Sequence, residues 1–328
     1  MIMKEEEIRP KAIFDEYLRL ADIDTRVYFS DAARTHINCP ACGGVGESAI
    51  NKSGFVYDQC SGCQTIYVNP RPVAEAFSRY YQDAPSSRYW ATTFYKETAE
   101  ARKAKLWEPK AAQIKEIITS FCSTSDPVIV DVGGGYGIFA EVMRDILKES
   151  PVIIEPAPHL AQICRDKGFD VVEKFLEDVE VGDLPVVPKV FVSFELFEHL
   201  TDPALFMASM HSLMSSGDLF IFTTLSGTGV DIQALWEDSK SIFPPHHLNF
   251  FNPKSIKLVV EAAGFESLQI TTPGKLDIDI LDNNRPLIKD RFWKTFVETA
   301  SVDEKKVWQQ WIADQGWSSH MWSVSRKP

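Results

Sequence analysis

Val128-Ile129-Val130-Asp131-Val132-Gly133-Gly134-Gly135-Tyr136-Gly137 opens the stretch whose reading decides the fold. An apolar run closed by Asp131 leads into a glycine-rich turn, and a helical pattern follows from Ile138 to about Lys148. A second apolar run, Val152-Ile153-Ile154, ends on Glu155. This is strand, turn, helix, strand and acid, a βαβ unit suited to holding a nucleoside. The glycines let the backbone turn tightly and let a ligand approach where a Cβ would stand. The acid closing the second strand is placed to accept hydrogen bonds from both ribose hydroxyls.

Spacing narrows the nucleoside. A dinucleotide fingerprint requires Gly-x-Gly-x-x-Gly, and counted from Gly133 its last position is Ile138. The pattern present is Asp131-x-Gly133-x-Gly135-x-Gly137. It resembles the first motif of class I S-adenosylmethionine-dependent methyltransferases. That resemblance implies S-adenosylmethionine as cofactor, with Asp131, Gly133, Gly135, Gly137 and Glu155 binding it.

The rest of the chain reads as alternating α/β. A helix is expected from about His159 to Lys167, and a strand from Asp170 to Val172. In the Lys174-Phe175-Leu176 turn, Phe175 is expected either to stack on the adenine or to fill the core. The fourth strand, Val190 to Phe194, runs into Glu195-Leu196-Phe197-Glu198-His199-Leu200-Thr201-Asp202-Pro203. Methyltransferases with a Glu-His-Leu-x-Asp-Pro stretch carry it after this strand. The resemblance therefore places Phe194 and Glu195 with the cofactor, Glu195 or Glu198 meeting the methionine amino group and the other capping a helix. A helix (Pro203 to Met214), a fifth strand (Leu219 to Thr223), a helix capped by Asn252 with Pro253 at its first position, and strands at Glu266–Thr272 and His320–Ser325 follow. The resemblance implies a seven-stranded Rossmann-like sheet with a late antiparallel hairpin.

Cys39, Cys42, Cys60 and Cys63 form two Cys-x-x-Cys knuckles separated by 17 residues. Four thiolates at this spacing suit one tetrahedral zinc, and a fully protein-liganded ion is structural. Glycines follow each knuckle at Gly43, Gly44 and Gly62. Cys122 and Cys164 stand alone and read as ordinary thiols.

Four segments are expected: an N-terminal amphipathic helix within 1–35, a zinc ribbon at 36–72, a helical linker or lid at 73–125, and the cofactor-binding domain at 126–328. The linker is rich in aromatics (Tyr80, Tyr81, Tyr89, Trp90, Phe94, Tyr95). They read equally as a substrate lid or as the core of a cap, with Arg88, Lys96 and Arg102 interleaved as candidates for a substrate diphosphate. A helical insertion, 274–317, holds Trp293, Trp308, Trp311 and Trp317 and reads as a substrate cap or a homodimer surface. The Ser318-Ser319-His320-Met321-Trp322 stretch either returns a polar edge to the active site or is part of a plain strand.

With 328 residues, 45 % apolar, 24 % charged and a formal net charge of −12, the chain has a globular composition and an acidic balance. Negative charge disfavours a nucleic acid as main partner. Acids stand where a secretory leader would be basic, and no apolar run approaches the ~20 residues that cross a bilayer. A cytoplasmic protein without a membrane span is expected.

The whole pattern resembles the zinc-ribbon class I methyltransferases of sugar and cell-surface glycan pathways, including those that methylate carbon of nucleotide-linked ketosugars. Those enzymes use a histidine in a Glu-His-x-x-Tyr-Phe-like stretch as base. Here the matching stretch is His246-His247-Leu248-Asn249-Phe250-Phe251, which puts His247 at the base and departs at His246 and Phe250. His199 is the second candidate base. The competing reading is an RNA base methyltransferase that grips RNA with the ribbon, against which stands Lys52, nearly alone between the knuckles.

Overall fold

Four of five parallel strands bury their β-branched and aromatic side chains as continuous runs, the pattern of a parallel sheet covered on both faces, and the fifth is a part-exposed edge. In the computed structural model, which describes residues 4–122, 124 and 126–328, these are β6 (Val128–Val132), β7 (Val152–Ile154), β8 (Asp170–Val172), β9 (Lys189–Phe194) and β10 (Leu219–Leu225). With β12 (Glu266–Thr271) and β13 (His320–Arg326) they form one seven-stranded sheet in the order β12-β13-β10-β9-β6-β7-β8. β13 runs antiparallel to both its neighbours. The seven-stranded sheet expected from the resemblance is therefore present.

The chain leaves β6 outward to β7 and β8, then returns to β9 on the other side of β6. This reversal opens a crevice at the carboxyl ends of β6 and β9, where ligands bind in such sheets. Asp131, Glu155 and Glu195 all lie at that edge. Because β13 is antiparallel and pairs Leu225 with His320, it delivers His320 to the same edge.

The N-terminal pattern divides at Pro10 into two helices, Glu5–Ile8 and Lys11–Phe29. Proline has no N–H and pushes the residue before it out of the helical region. Pro10 thus stands just before the longer helix rather than inside its first turn. From Pro85 to Phe121 the chain is helical throughout, with two π-helical segments, Trp90–Phe94 and Lys103–Trp107. Such bulges re-aim the side chains beyond them and concentrate at functional sites. Here they set Tyr95 and Trp107 against the glycine-rich turn.

The cysteine segment adds β2 (Gly46–Lys52), β3 (Phe55–Cys60) and β4 (Ile66–Val68), with a short pair formed by β1 (Arg34–Thr35) and β5 (Arg71–Pro72). Its sheet is completed from outside the segment. The order is β11-β4-β3-β2, where β11 (Asn249–Phe250) belongs to the histidine stretch. One side of this sheet joins Cys39, Cys60, Cys63 and Tyr67 to the core under the main sheet. The other packs Ile50, Phe55, Tyr57 and Ile66 with Phe29, Phe77 and Leu248. The insertion folds as helices Asp277–Asn283, Arg291–Thr299 and Val302–Asp314, with Ile278, Leu281, Val297 and Ile312 packed on Val230 and Leu235. Among the described residues no helix is long and apolar enough to cross a membrane.

Candidate active site

Left-handed backbone at Gly133, Gly135 and Gly137 folds the turn after β6 so that its amides face β7. Gly133 N–H donates to Ile154 O at 2.8 Å, and Gly135 N–H donates to Glu155 Oε2 at 2.9 Å. At Gly134 an added Cβ would lie 2.7 Å from Ile153 Cγ2, so no side chain fits there. Tyr95, Trp107, Asp131, Tyr136 and Phe194 line the cleft above the turn. Tyr95 stacks on Tyr136 with ring centroids 5.0 Å apart, which narrows the cleft to about 40 Å³. Ligand pockets usually run from ~300 Å³ upward, so the cleft in this arrangement is too narrow for a nucleoside.

The chemistry of the cleft fits S-adenosylmethionine. Asp131 is buried, and its Oδ2 has no hydrogen-bond partner. Burial, reinforced by the Glu155 charge, raises its carboxyl to about 7. An amino acid's ammonium group is the kind of partner that this oxygen lacks. The acid on β7, Glu155, accepts from the Gly135 and Ala157 amides and keeps lone pairs for ribose hydroxyls. Phe175, left open between adenine and core, is 63 % exposed, which removes the core alternative.

The shift at Asp131 has a consequence for stability. The folded chain keeps this proton to about 7, whereas an unfolded aspartate releases it near ~4. Its contribution to stability is complete below ~4 and is lost as pH rises through 7. Asp131→Asn is expected to flatten the fall of Tm between roughly pH 5 and 8 and to weaken S-adenosylhomocysteine binding. Melting curves across that range, with and without the ligand, check both effects.

The cysteines fit a metal. Cys39 Sγ and Cys63 Sγ lie 3.5 Å apart, as do Cys42 Sγ and Cys60 Sγ. Ligands on a tetrahedral zinc with bonds of ~2.3 Å stand about 3.8 Å apart, far beyond a disulfide bond. A Cβ at Gly44 would meet Cys42 Sγ at 3.3 Å and Cys60 Sγ at 3.5 Å, so glycine keeps the cradle clear. Burial pushes the Cys60 thiol upward, but the Cys63 and Gly62 amides and the neighbouring thiols outweigh it and bring it down to about 7.

Beyond the cofactor cleft the histidine stretch folds against the end of β9. His199 and His247 face each other with ring centroids 4.9 Å apart. The His247 Nδ1–H donates to Ser241 O at 2.6 Å, which leaves Nε2 with its lone pair. Burial lowers His247 to about 4 and takes His199 well below the usual histidine range. His246 turns the other way into a tyrosine cage, with Nε2 2.6 Å from Tyr80 Oη and 3.0 Å from Tyr17 Oη. Phe243 stacks on its ring, and burial lowers it to about 3. Adjacent in sequence, the two histidines do different things.

Neither glutamate caps a helix. Glu195 sits at a left-handed φ of 52°, and its carboxylate accepts from Lys110 at 3.0 Å and from Thr223 Oγ1 at 2.9 Å, with His320 Nδ1 at 3.3 Å. Despite burial, the charge of Lys110, with hydrogen bonds from Lys110 and Thr223, holds it well below the usual carboxylate range. Trp322 Nε1 donates to His320 Nε2 at 3.0 Å, so Nδ1 carries the proton turned to Glu195. Glu198 is 1 % exposed and accepts from Thr224 Oγ1 at 2.9 Å. Burial and the Glu195 charge raise it to about 8.

Reasoning from the sequence missed Arg9 and Lys110. Arg9 lies close enough to His247, His320 and Arg102 to depress their proton affinity. Arg102 lies over the rings of Phe94 and Tyr95, and its buried Nε lacks a partner. Arg88 and Lys96, the other expected diphosphate ligands, are exposed. No local pattern marks Arg9 or Lys110, since each gains its place through contacts far along the chain.

A methyltransferase-domain family model matches residues 96–270. A search of curated proteins found no match. Among solved structures, the plantazolicin methyltransferase BpumL in complex with SAH is 10 % identical, with 76 % of this chain and 93 % of that one covered at a TM-score of 0.50. A SAM-dependent methyltransferase from Archaeoglobus fulgidus is 17 % identical, with 71 % and 100 % covered at a TM-score of 0.45.

Proposed function

Since the chain belongs to the methyltransferase-domain family matched across residues 96–270 and is a methyltransferase, we propose that its acceptor is a small anionic molecule, a nucleotide-linked sugar or glycan precursor. The observation that carries this reading is a cluster beyond the end of β9, where His199 and His247 meet at 4.9 Å between ring centroids and Arg9 lies within electrostatic reach of His247, His320 and Arg102. Imidazoles suit proton removal, and two guanidinium groups suit a phosphate or diphosphate. The Lys11–Phe29 helix closes over the histidine stretch through Tyr17, which favours a small acceptor over a long polymer.

S-adenosylmethionine supplies an activated methyl group on a sulfonium centre. The chain's own work is then to position the acceptor and take its proton. Asp131, Gly133, Gly135, Gly137, Glu155, Phe175 and Phe194 hold the cofactor side, while Glu195 fixes Lys110 and His320 beneath it. His247, neutral and with Nε2 available, is the base, and His199 supports or replaces it. Cys39, Cys42, Cys60 and Cys63 hold a structural zinc, and the ribbon serves the catalytic loop rather than gripping RNA. Its β4 edge is already paired with β11, which supports that assignment.

The test uses methyl-labelled cofactor with purified protein and three acceptor pools: nucleotide sugars with small metabolites, unmodified RNA, and protein. Label confined to the first pool is the expected result. Label in RNA would overturn the reading and make the ribbon a recognition module.

A further inference from the structure

We propose that Glu198, His199 and His247 form a binding site for a first-row divalent cation at the acceptor end of the cleft. One donor atom from each of the three lies within 4.8 Å of the other two. Around an ion with bonds of ~2.1 Å, ligand atoms at octahedral or tetrahedral angles stand roughly 3.0–3.4 Å apart. Both histidine rings are partly exposed, while Glu198 is buried.

The donors are already oriented. Ser241 O takes the His247 Nδ1 proton and so leaves the Nε2 lone pair for an ion. A histidine ligand fixed through its other nitrogen by a carbonyl is the usual outer arrangement of a metal site. The His199 ring hydrogen-bonds to the His246 backbone, which leaves its second nitrogen for the ion. Glu198 is buried, takes its hydrogen bonds from Thr224 Oγ1 and its own backbone amide, and forms no ion pair among the described residues. A carboxyl so placed holds its proton while no cation is near, and a bound ion would take the place of that proton. Two imidazoles and one carboxylate suit manganese, iron, cobalt, nickel or zinc better than calcium. Three protein ligands leave coordination positions open for acceptor oxygens.

The inference rests on the same reading of this end of the cleft as the acceptor side. An ion held there would occupy the His247 lone pair, so the base role assigned to His247 belongs to the ion-free site.

The experiment titrates full-length protein carrying one zinc per chain, that of the ribbon, with Mn2+ and reads the free ion by electron paramagnetic resonance. One Mn2+ per chain is expected. His247→Ala and Glu198→Gln should each weaken it by at least the ~10–100-fold that disturbing a metal site costs. His159→Ala, at an exposed histidine on another helix, should leave binding unchanged. Absence of Mn2+ binding, or equal binding by wild type and His247→Ala protein, overturns the site. Mn2+ binding that needs His247 while no acceptor pool takes label overturns the proposed function instead and supports the site.

Discussion

His247→Ala is expected to lower kcat by about 10²–10⁴-fold, the range for loss of a positioned base, with S-adenosylhomocysteine binding unchanged. His247 is not among the residues lining the glycine-rich cleft, and its side chain meets Ser241, His199, Phe243 and Phe250. Binding of the cofactor product by calorimetry should therefore match wild type while turnover collapses. The neighbouring substitution provides the contrast. His246→Ala leaves the hydroxyls of Tyr17 and Tyr80 without their shared partner in a buried cage. Tyr80 keeps Ser86 Oγ at 2.9 Å, whereas an unsatisfied Tyr17 hydroxyl costs about 1–3 kcal/mol. That variant should lose Tm first and kcat only in proportion to folded protein. If His246→Ala instead abolished kcat at unchanged Tm while His247→Ala did little, the two roles would be exchanged and the base assignment would fail.

The contrast also explains the departures from the sugar methyltransferase pattern. The position that carries an acid in those enzymes is His246 here, and it faces two phenol hydroxyls rather than the acceptor. A histidine nitrogen can accept from a phenol in that cage at no cost in charge, whereas a buried carboxylate would need a cation. Phe250, at the tyrosine position, is fully buried between Tyr57 and the apolar core, where a hydroxyl would need its own partner. Both departures belong to the wall behind the site.

What could be read from residue order follows from how local each feature is. The turn at Gly133–Gly137, the knuckles at Cys39–Cys42 and Cys60–Cys63, and the helix start at Asn252–Pro253 are each written within a few residues, and each carries its own geometry. The features missed are pairs made by the fold. Lys110 meets Glu195 across 85 residues, Tyr57 meets the His247 carbonyl across 190, and Tyr17 meets His246 across 229. Periodicity reports which face of a helix is apolar, but not which partner lies against it. Nor does it reveal that two residues after the histidines would complete a sheet begun at Gly46, far earlier in the chain. The expected linker was legible as helical and aromatic. Its π-helical segments, which aim Tyr95 and Trp107 at the cleft, were not.

That shared sheet leads to the second large effect. Cys60→Ser, with the zinc site broken, is expected to lower kcat by on the order of 10²-fold or more, as if the base itself were displaced. The ribbon holds the catalytic loop at four points. Val68 N–H donates to Leu248 O at 2.9 Å, and Tyr57 Oη donates to His247 O at 2.9 Å. Asn252 Nδ2 donates to Cys63 O at 2.8 Å, and Arg71 Nη2 donates to Asn249 Oδ1 at 2.6 Å. Structural zinc contributes on the order of 10 kcal/mol to folding in isolated finger peptides, so its loss frees these strands and with them residues 247–252. The glycine-rich turn is anchored to β7 instead, through Gly133 and Ile154, and does not depend on the ribbon. A zinc-free variant should accordingly still bind S-adenosylhomocysteine while transferring almost no methyl, and zinc content, calorimetry and turnover on one preparation decide it. Full turnover without zinc would make the ribbon an appendage. Loss of cofactor binding together with turnover would mean that the ribbon supports the whole sheet rather than the histidine loop.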